Sequence, residues 1–259
     1  MVTRARLALY RSLHRGKVRR EEGLSLVEGR RLVAEAIASG AALVAVLVTE
    51  EFRSSEEGAG LAAAAEAAGL AAEDVPAREL ARIAGTKTPQ GVVGVIRTSA
   101  SDEAVLAEPG LFLALDAVSD PGNAGTLIRA ADAFAARAVL FGPGCADPWH
   151  PKTLRSAMGS SFHLPILAVD DLAARLTGMR EAGAVVLAAT LDGEDLTAAK
   201  IDVSRVVLVL GSEAHGVTPA VRAAADRAVT VPCPGRAESL NVAMAGAIAL
   251  AHLAGRQDA

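Results

Sequence analysis

Short runs of aliphatic and β-branched residues recur along this chain, separated by helical patterns, and they leave few ways to fold it. AALVAVLVT (41–49), VVGVIR (92–97), LFLALDAV (111–118), AVVLAAT (184–190) and RVVLVLG (205–211) are too continuously apolar to have one face in water. Strands of this kind are buried on both faces, as in parallel sheets flanked by helices. Alternation of such strands with amphipathic segments predicts an α/β architecture. Only 3% of the 259 residues are aromatic while 51% are hydrophobic, so the core must be built from small aliphatic side chains on closely approaching elements.

Residues 1–97 form the first expected unit. A basic helix or arm over 1–20 precedes a short strand and an amphipathic helix in 23–40, closed by Gly40. A buried strand at 41–49 follows. Gly58 and Gly60 are then expected to break the pattern ahead of a helix at 61–68, a strand at 71–75, a helix at 77–84 and a strand at 92–97. The polar, acidic stretch TSASDEAVLAEPG (98–110) reads as a linker. From 111 to 259 the alternation resumes, with helices from about Asn123 and Pro151, and at 170–182 and 219–225. The last strand, at 228–231, leads to an apolar helix that ends the unit.

Net charge is −4, which argues against a protein that coats nucleic acid, yet the first twenty residues hold seven Arg or Lys and no acid. Residues 1–97 carry 14 basic and 12 acidic groups, against 12 and 18 in the remainder. A basic arm on an acidic protein suits local phosphate contact. Cys145 and Cys233 form no CxxC pair, and the basic N-terminus lacks the apolar core of a secretory signal, so a reduced cytoplasm is expected. No stretch reaches the roughly 18 apolar residues of a membrane span.

Three polar, Gly-containing corners follow strands of the second unit: DPGNAGTLIRAADAF (120–134), LVLGSEAHGV (208–217) and VPCPGRAESLNVAMAG (231–246). Ligands of parallel sheets bind beyond the carboxyl ends of strands. A glycine fingerprint for dinucleotides and a phosphate-binding P-loop are both missing, and GSEAHG is neither a nucleophile elbow nor a metal helix. The five histidines are scattered without ligand spacing, so no metal is expected. His215, alone in its turn, reads as a surface residue. What remains is Asn123, Arg129, Glu213, Ser239 and Asn241, a set without an obvious nucleophile. It suits a reaction whose chemistry is carried by a bound cofactor while the protein orients groups. Taken singly, each has a structural alternative: Asn123 and Ser239 as helix caps, Arg129 as a solvated helix charge, Glu213 as a turn residue.

Together, N-x-G-x-x-x-R at 123–129, G-x-E-x-x-G at 211–216 and P-x-x-G-x-x-x-S-L-N at 232–241 resemble the three ordered motifs of the SpoU (TrmH-like) family in the SPOUT superfamily. These are S-adenosylmethionine-dependent RNA ribose 2′-O-methyltransferases. LSLVEGRRLVAEAI in the front half is similar to the segment that opens the RNA-binding domain of members acting on ribosomal RNA. The resemblance implies a trefoil-knotted methyltransferase domain over 111–259 and, over 1–97, an RNA-binding domain resembling a ribosomal-protein fold. It also implies a homodimer through the terminal helix. S-adenosylmethionine would lie against backbone near Gly211, Val231 and Leu240. Asn123, Arg129, Glu213, Ser239 and Asn241 carry over as catalytic positions. Cys233 and Pro234 depart from the Met and small or polar residues common there, which puts the local loop shape in question.

A ribose hydroxyl must attack the sulfonium methyl in line while its developing negative charge is stabilised. Arg129, permanently protonated, suits the charge, whether on phosphate or on the alkoxide. Glu213 is the better base. Ser239 and Asn241 orient the ribose or close the knot loop. The separate front domain favours ribosomal RNA over tRNA as substrate. An RNA-binding protein without catalysis is the reading from a different class, and the intact polar motifs disfavour it.

Overall fold

The computed structural model describes residues 2–98, 102–201 and 204–255. The chain forms two compact units, Met1–Ser99 with Trp149–Phe162, and Ala100–Pro148 with His163–Ala259.

The first unit opens with helices α1 (Arg4–Ser12) and α2 (Gly16–Glu22), then β1 (Leu24–Glu28), α3 (Arg30–Ala38) and β2 (Leu43–Val48). It continues with α4 (Glu50–Arg53), α5 (Glu56–Ala67), β3 (Ala72–Asp74), α6 (Ala77–Ile83) and β4 (Val92–Arg97). The strands order as β1-β4-β2-β3, with β4 antiparallel to both neighbours and β3 parallel to β2. Strand β2 is covered on both faces. Val46 and Val48 pack with Val33 and Leu61, while Ala45 and Leu47 pack with Tyr10 and Leu80. Gly58 and Gly60 do not interrupt this unit as expected but lie inside α5, which Ser55 caps through Gly58 N–H. A Cβ on Gly58 would stand 1.8 Å from the Phe52 carbonyl oxygen, so this glycine allows two helices to meet rather than ending one.

The second unit contains β5 (Gly110–Asp116), α7 (Pro121–Ala133) and β6 (Ala138–Phe141). Helix α8 (Pro151–Ala157) belongs to the first unit. The chain then runs through β7 (Ile166–Ala168), α9 (Leu172–Glu181), β8 (Val185–Asp195), β9 (Arg205–Gly211), α10 (Pro219–Ala224), β10 (Arg227–Thr230) and α11 (Val242–Ala254). Its six strands are all parallel, in the order β10-β8-β9-β5-β6-β7. Phe112, Leu140 and Val207 face Leu172, Leu176 and Val221 on one side. On the other, α11 lies against α7 and β9. A Cβ on Gly246 would stand 2.4 Å from Leu127 and 2.5 Å from Leu210, so the small residues of α11 set how closely it packs.

Two boundaries differ from expectation. Residues 99–101 of the expected linker lie outside the described residues, but its later part is a 3₁₀ helix, Glu103–Ala107, that buries Leu106 in the core of the second unit. Arg205 holds it by donating to the carbonyls of Leu106 and Ala107. The segment 149–162, expected within the second unit, packs into the first instead. Leu154 is fully buried there, and Ser25 donates to the Trp149 carbonyl. Arg155 pairs with Glu28 at 3.0 Å, and Glu28, with only 2% of its side chain exposed, also accepts from Gly85 N–H. Glu28→Ala is expected to destabilise the chain by roughly 2–3 kcal/mol, by stranding Arg155 and the Gly85 amide. Urea denaturation beside a Glu28→Gln variant, which keeps an acceptor and loses less, measures it.

Candidate active site

Parallel pairing brings the carboxyl ends of β5, β8, β9 and β10 to one edge of the sheet, and the loops after them build the site. Asp120 caps α7, its Oδ1 accepting from Gly122 and Asn123 N–H at 2.7 and 2.9 Å. Asn123 is therefore not the cap, and its carboxamide is free to bridge. Asn123 Nδ2 donates to Glu213 Oε1 at 2.5 Å, while its Oδ1 accepts from Asn241 Nδ2 at 3.1 Å. Asn241 in turn caps α11, Oδ1 accepting from Ala243 N–H at 2.9 Å and Met244 N–H at 3.4 Å. Ser239 lies ahead of this cap, exposed, and does not cap the helix.

Glu213 sits on a loop closed by paired hydrogen bonds between Ser212 and Gly216. A Cβ on Gly211 would fall 2.1 Å from the Gly216 carbonyl carbon, so only glycine fits at the base of this loop, and Gly216 takes a φ of +68°. Buried Asp116 anchors the far side by accepting from Thr218 N–H at 2.6 Å. Nothing in the sequence reading singled it out, although an acid at the end of a buried strand is the signal that would have found it.

The second and third corners, with the tail of β8, enclose a cavity of about 700 Å³, within the roughly 300–1,000 Å³ usual for small-molecule sites. Gly211, Val231 and Leu240 all line it, as do Glu213, Ser239 and Asn241. Asn123 meets the site through its two hydrogen bonds. Arg129 is exposed on α7 and makes no hydrogen bond or ion pair with a described residue, so no such bond joins it to the other four. Thr190, Leu191 and Asp192 form a further wall that the sequence reading missed, because β8 was expected to stop at Thr190 and instead runs to Asp195. Gly193 permits this, since a Cβ there would meet the Val229 backbone at 2.5 Å.

Asp192 receives a bidentate pair from Arg222 at 3.1 and 2.8 Å, and that guanidinium holds its carboxyl down to about 2. Cys233 borders the cavity with its Sγ near the Val231 carbonyl. Cys145 is a structural thiol, pushed up to about 11 by burial and donating to the Leu115 carbonyl. Three of the seven basic residues at the front are engaged internally: Arg6 pairs with Glu73, Arg11 with Glu79, and buried Arg19 donates to the Leu13 and His14 carbonyls. Arg4, Arg15, Lys17 and Arg20 stay exposed, Lys17 within 3.7 Å of Glu21.

Fold and site define an α/β protein with a small-molecule-sized cavity at the carboxyl ends of a parallel sheet. The SpoU rRNA methylase family model matches residues 110–251, and the chain belongs to that family. A model described as an MRM3-like substrate binding domain matches residues 6–94. The Bacillus subtilis 23S rRNA (guanosine(2553)-2′-O)-methyltransferase RlmP is 35% identical, covering 95% of this chain and 94% of its own. Among solved structures, the AdoMet-bound rRNA methyltransferase of Sinorhizobium meliloti superposes with a TM-score of 0.83 at 30% identity, covering 99% and 96% of the two chains. The SpoU methyltransferase AviRb of Streptomyces viridochromogenes, in complex with AdoMet, gives a TM-score of 0.85 at 26% identity, covering 99% of both. The chain is an S-adenosylmethionine-dependent enzyme that methylates a ribose 2′-hydroxyl of RNA.

Asn241→Asp retains an oxygen cap for α11 but deletes the donor to Asn123 and turns a carboxylate oxygen towards Asn123 Oδ1. Stability within about 0.5 kcal/mol of the parent is expected, with a loss of S-adenosylhomocysteine affinity of roughly tenfold or more. Parallel urea denaturation and calorimetric titration check both halves.

Proposed function

We propose that the enzyme methylates 23S ribosomal RNA, and that the cavity of the second unit binds S-adenosylmethionine. The observation that carries the substrate reading is similarity along the whole chain to a protein named for that reaction on 23S rRNA, front domain included. The cavity fits the cofactor. Gly211 offers backbone without a side chain, Val231 and Leu240 offer apolar surface, and the volume admits a nucleoside carrying an amino-acid tail. The bound cofactor supplies an electrophilic methyl on its sulfonium.

In this reading the second unit is a trefoil-knotted domain and the first unit, into which residues 149–162 pack, is the RNA-binding domain. Glu213, oriented by Asn123, takes the proton of the ribose hydroxyl. Arg129, without a hydrogen-bond or ion-pair partner among the described residues, is available to the RNA and stabilises its phosphate or the developing alkoxide. Ser239 and Asn241 orient the ribose. The exposed basic residues Arg4, Arg15, Lys17 and Arg20, rather than all seven at the front, contact phosphate. Localisation is cytoplasmic.

A homodimer through α11 belongs to the same reading. Met244 and Ile248 stand one turn apart on this helix with 57% and 46% of their surface exposed, an apolar stripe that a second copy covers. Sedimentation at micromolar concentration should give a dimer, and Ile248→Glu a monomer. A wild-type monomer contradicts this part of the reading.

Transfer of a labelled methyl to purified 23S rRNA and to tRNA, followed by mapping of the modified ribose, tests the substrate. Arg129→Ala should lose roughly 100-fold in turnover at every pH. Glu213→Gln should recover as pH rises and hydroxide replaces the base. A Glu213→Gln profile parallel to wild type assigns Glu213 to positioning instead.

A further inference from the structure

The ion pair between Asp192, in the tail of β8, and Arg222, on α10, lies on the wall of the cavity assigned above to the cofactor. Its two side chains are 66% and 47% exposed. A pair so open to water contributes little to folding. We propose that this pair binds the amino-acid end of S-adenosylmethionine, Arg222 taking the α-carboxylate and Asp192 the α-ammonium.

The inference rests on the reading that the cofactor occupies this cavity. An α-amino acid carries one negative and one positive group on the same carbon, and a preformed carboxylate and guanidinium side by side present the matching charges. The pair need not break to bind. A guanidinium has five N–H donors, of which Asp192 engages two. Each carboxylate oxygen of Asp192 keeps a further lone pair for an ammonium donor. The tight hold of Arg222 keeps Asp192 ionised throughout the range in which an enzyme works.

Alternatives on the same wall are few. Among the described residues lining the cavity, Arg222 is the only guanidinium or ammonium group, so no other permanent cation there can receive a carboxylate. Glu213 is the other acid, but its Oε1 already accepts from Asn123 and it is the group assigned to the ribose proton. Charge-assisted contacts of this type are among the stronger polar interactions available to a bound ligand.

Calorimetry on the full chain separates the contact from a mere tether between α10 and β8. S-adenosylhomocysteine carries the amino-acid end, and 5′-methylthioadenosine shares the nucleoside and thioether but lacks it. Arg222→Ala and Asp192→Asn should each weaken S-adenosylhomocysteine by roughly tenfold or more while leaving 5′-methylthioadenosine within about twofold. Equal weakening of both ligands, or of neither, overturns the proposal. Gly211→Val serves as the control on the underlying reading: it should abolish binding of both. If it leaves both bound, the cavity itself has been misassigned, whatever the pair does.

Discussion

The carboxamide of Asn123 ties the active site together. One end of it donates to Glu213, 90 residues further along the chain, and the other accepts from Asn241, 118 residues further along. A carboxamide is the side chain that can do both at once, since it holds donors and an acceptor in one plane. Aspartate in its place would repel Glu213, and serine would be too short to span both corners. The bridge is possible because Asp120 has already satisfied the first turn of α7. Asn241 likewise serves two partners, capping α11 with its oxygen and reaching Asn123 with its nitrogen. Helix ends, which carry orphan backbone donors, thus become the fixed points from which the Glu213 carboxylate is aimed.

Closeness of backbone makes that arrangement reachable. Gly211, Gly193 and Gly246 each stand where a Cβ would meet another segment within 2.5 Å: the returning loop, the Val229 backbone, and Leu127 with Leu210. The low aromatic content and Ala-rich helices belong to the same design, in which layers approach nearly to backbone contact and the site forms at their strand ends. Asp116 extends the principle, a buried carboxylate placed to hold the Thr218 amide and so the far end of the Glu213 loop.

Much of this was legible in the residues, and unevenly so. The buried strands announced themselves through continuous apolar runs, and the parallel sheet followed. Gly211, Val231 and Leu240 were placed on the cofactor site by motif, and all three line one cavity. What escaped was long-range. Gly58 reads as a helix breaker unless one knows that the Phe52 carbonyl lies against it. Leu154 and Arg155 read as part of the second unit because local pattern cannot say that their partners are Val33 and Glu28, more than a hundred residues earlier. The basic run at the front looks free until Glu73 and Glu79 fold onto it. Thr190–Asp192 was hidden because Leu-Asp-Gly has the composition of a turn, while pairing of Val229 with Glu194 carries the strand through it. Propensity reports the local term, and these positions are decided by tertiary contact.

The claim that the three corners act as one site through Asn123 is tested most directly by a double-mutant cycle between Asn123→Ala and Asn241→Ser, read in S-adenosylhomocysteine affinity on the full chain. Serine keeps an oxygen cap for α11, so the cycle isolates the bridge from helix stability. The account predicts that the second substitution costs much less once the first is present, with a coupling of at least about 0.5 kcal/mol. Strict additivity of the two losses, with both variants folded, contradicts it.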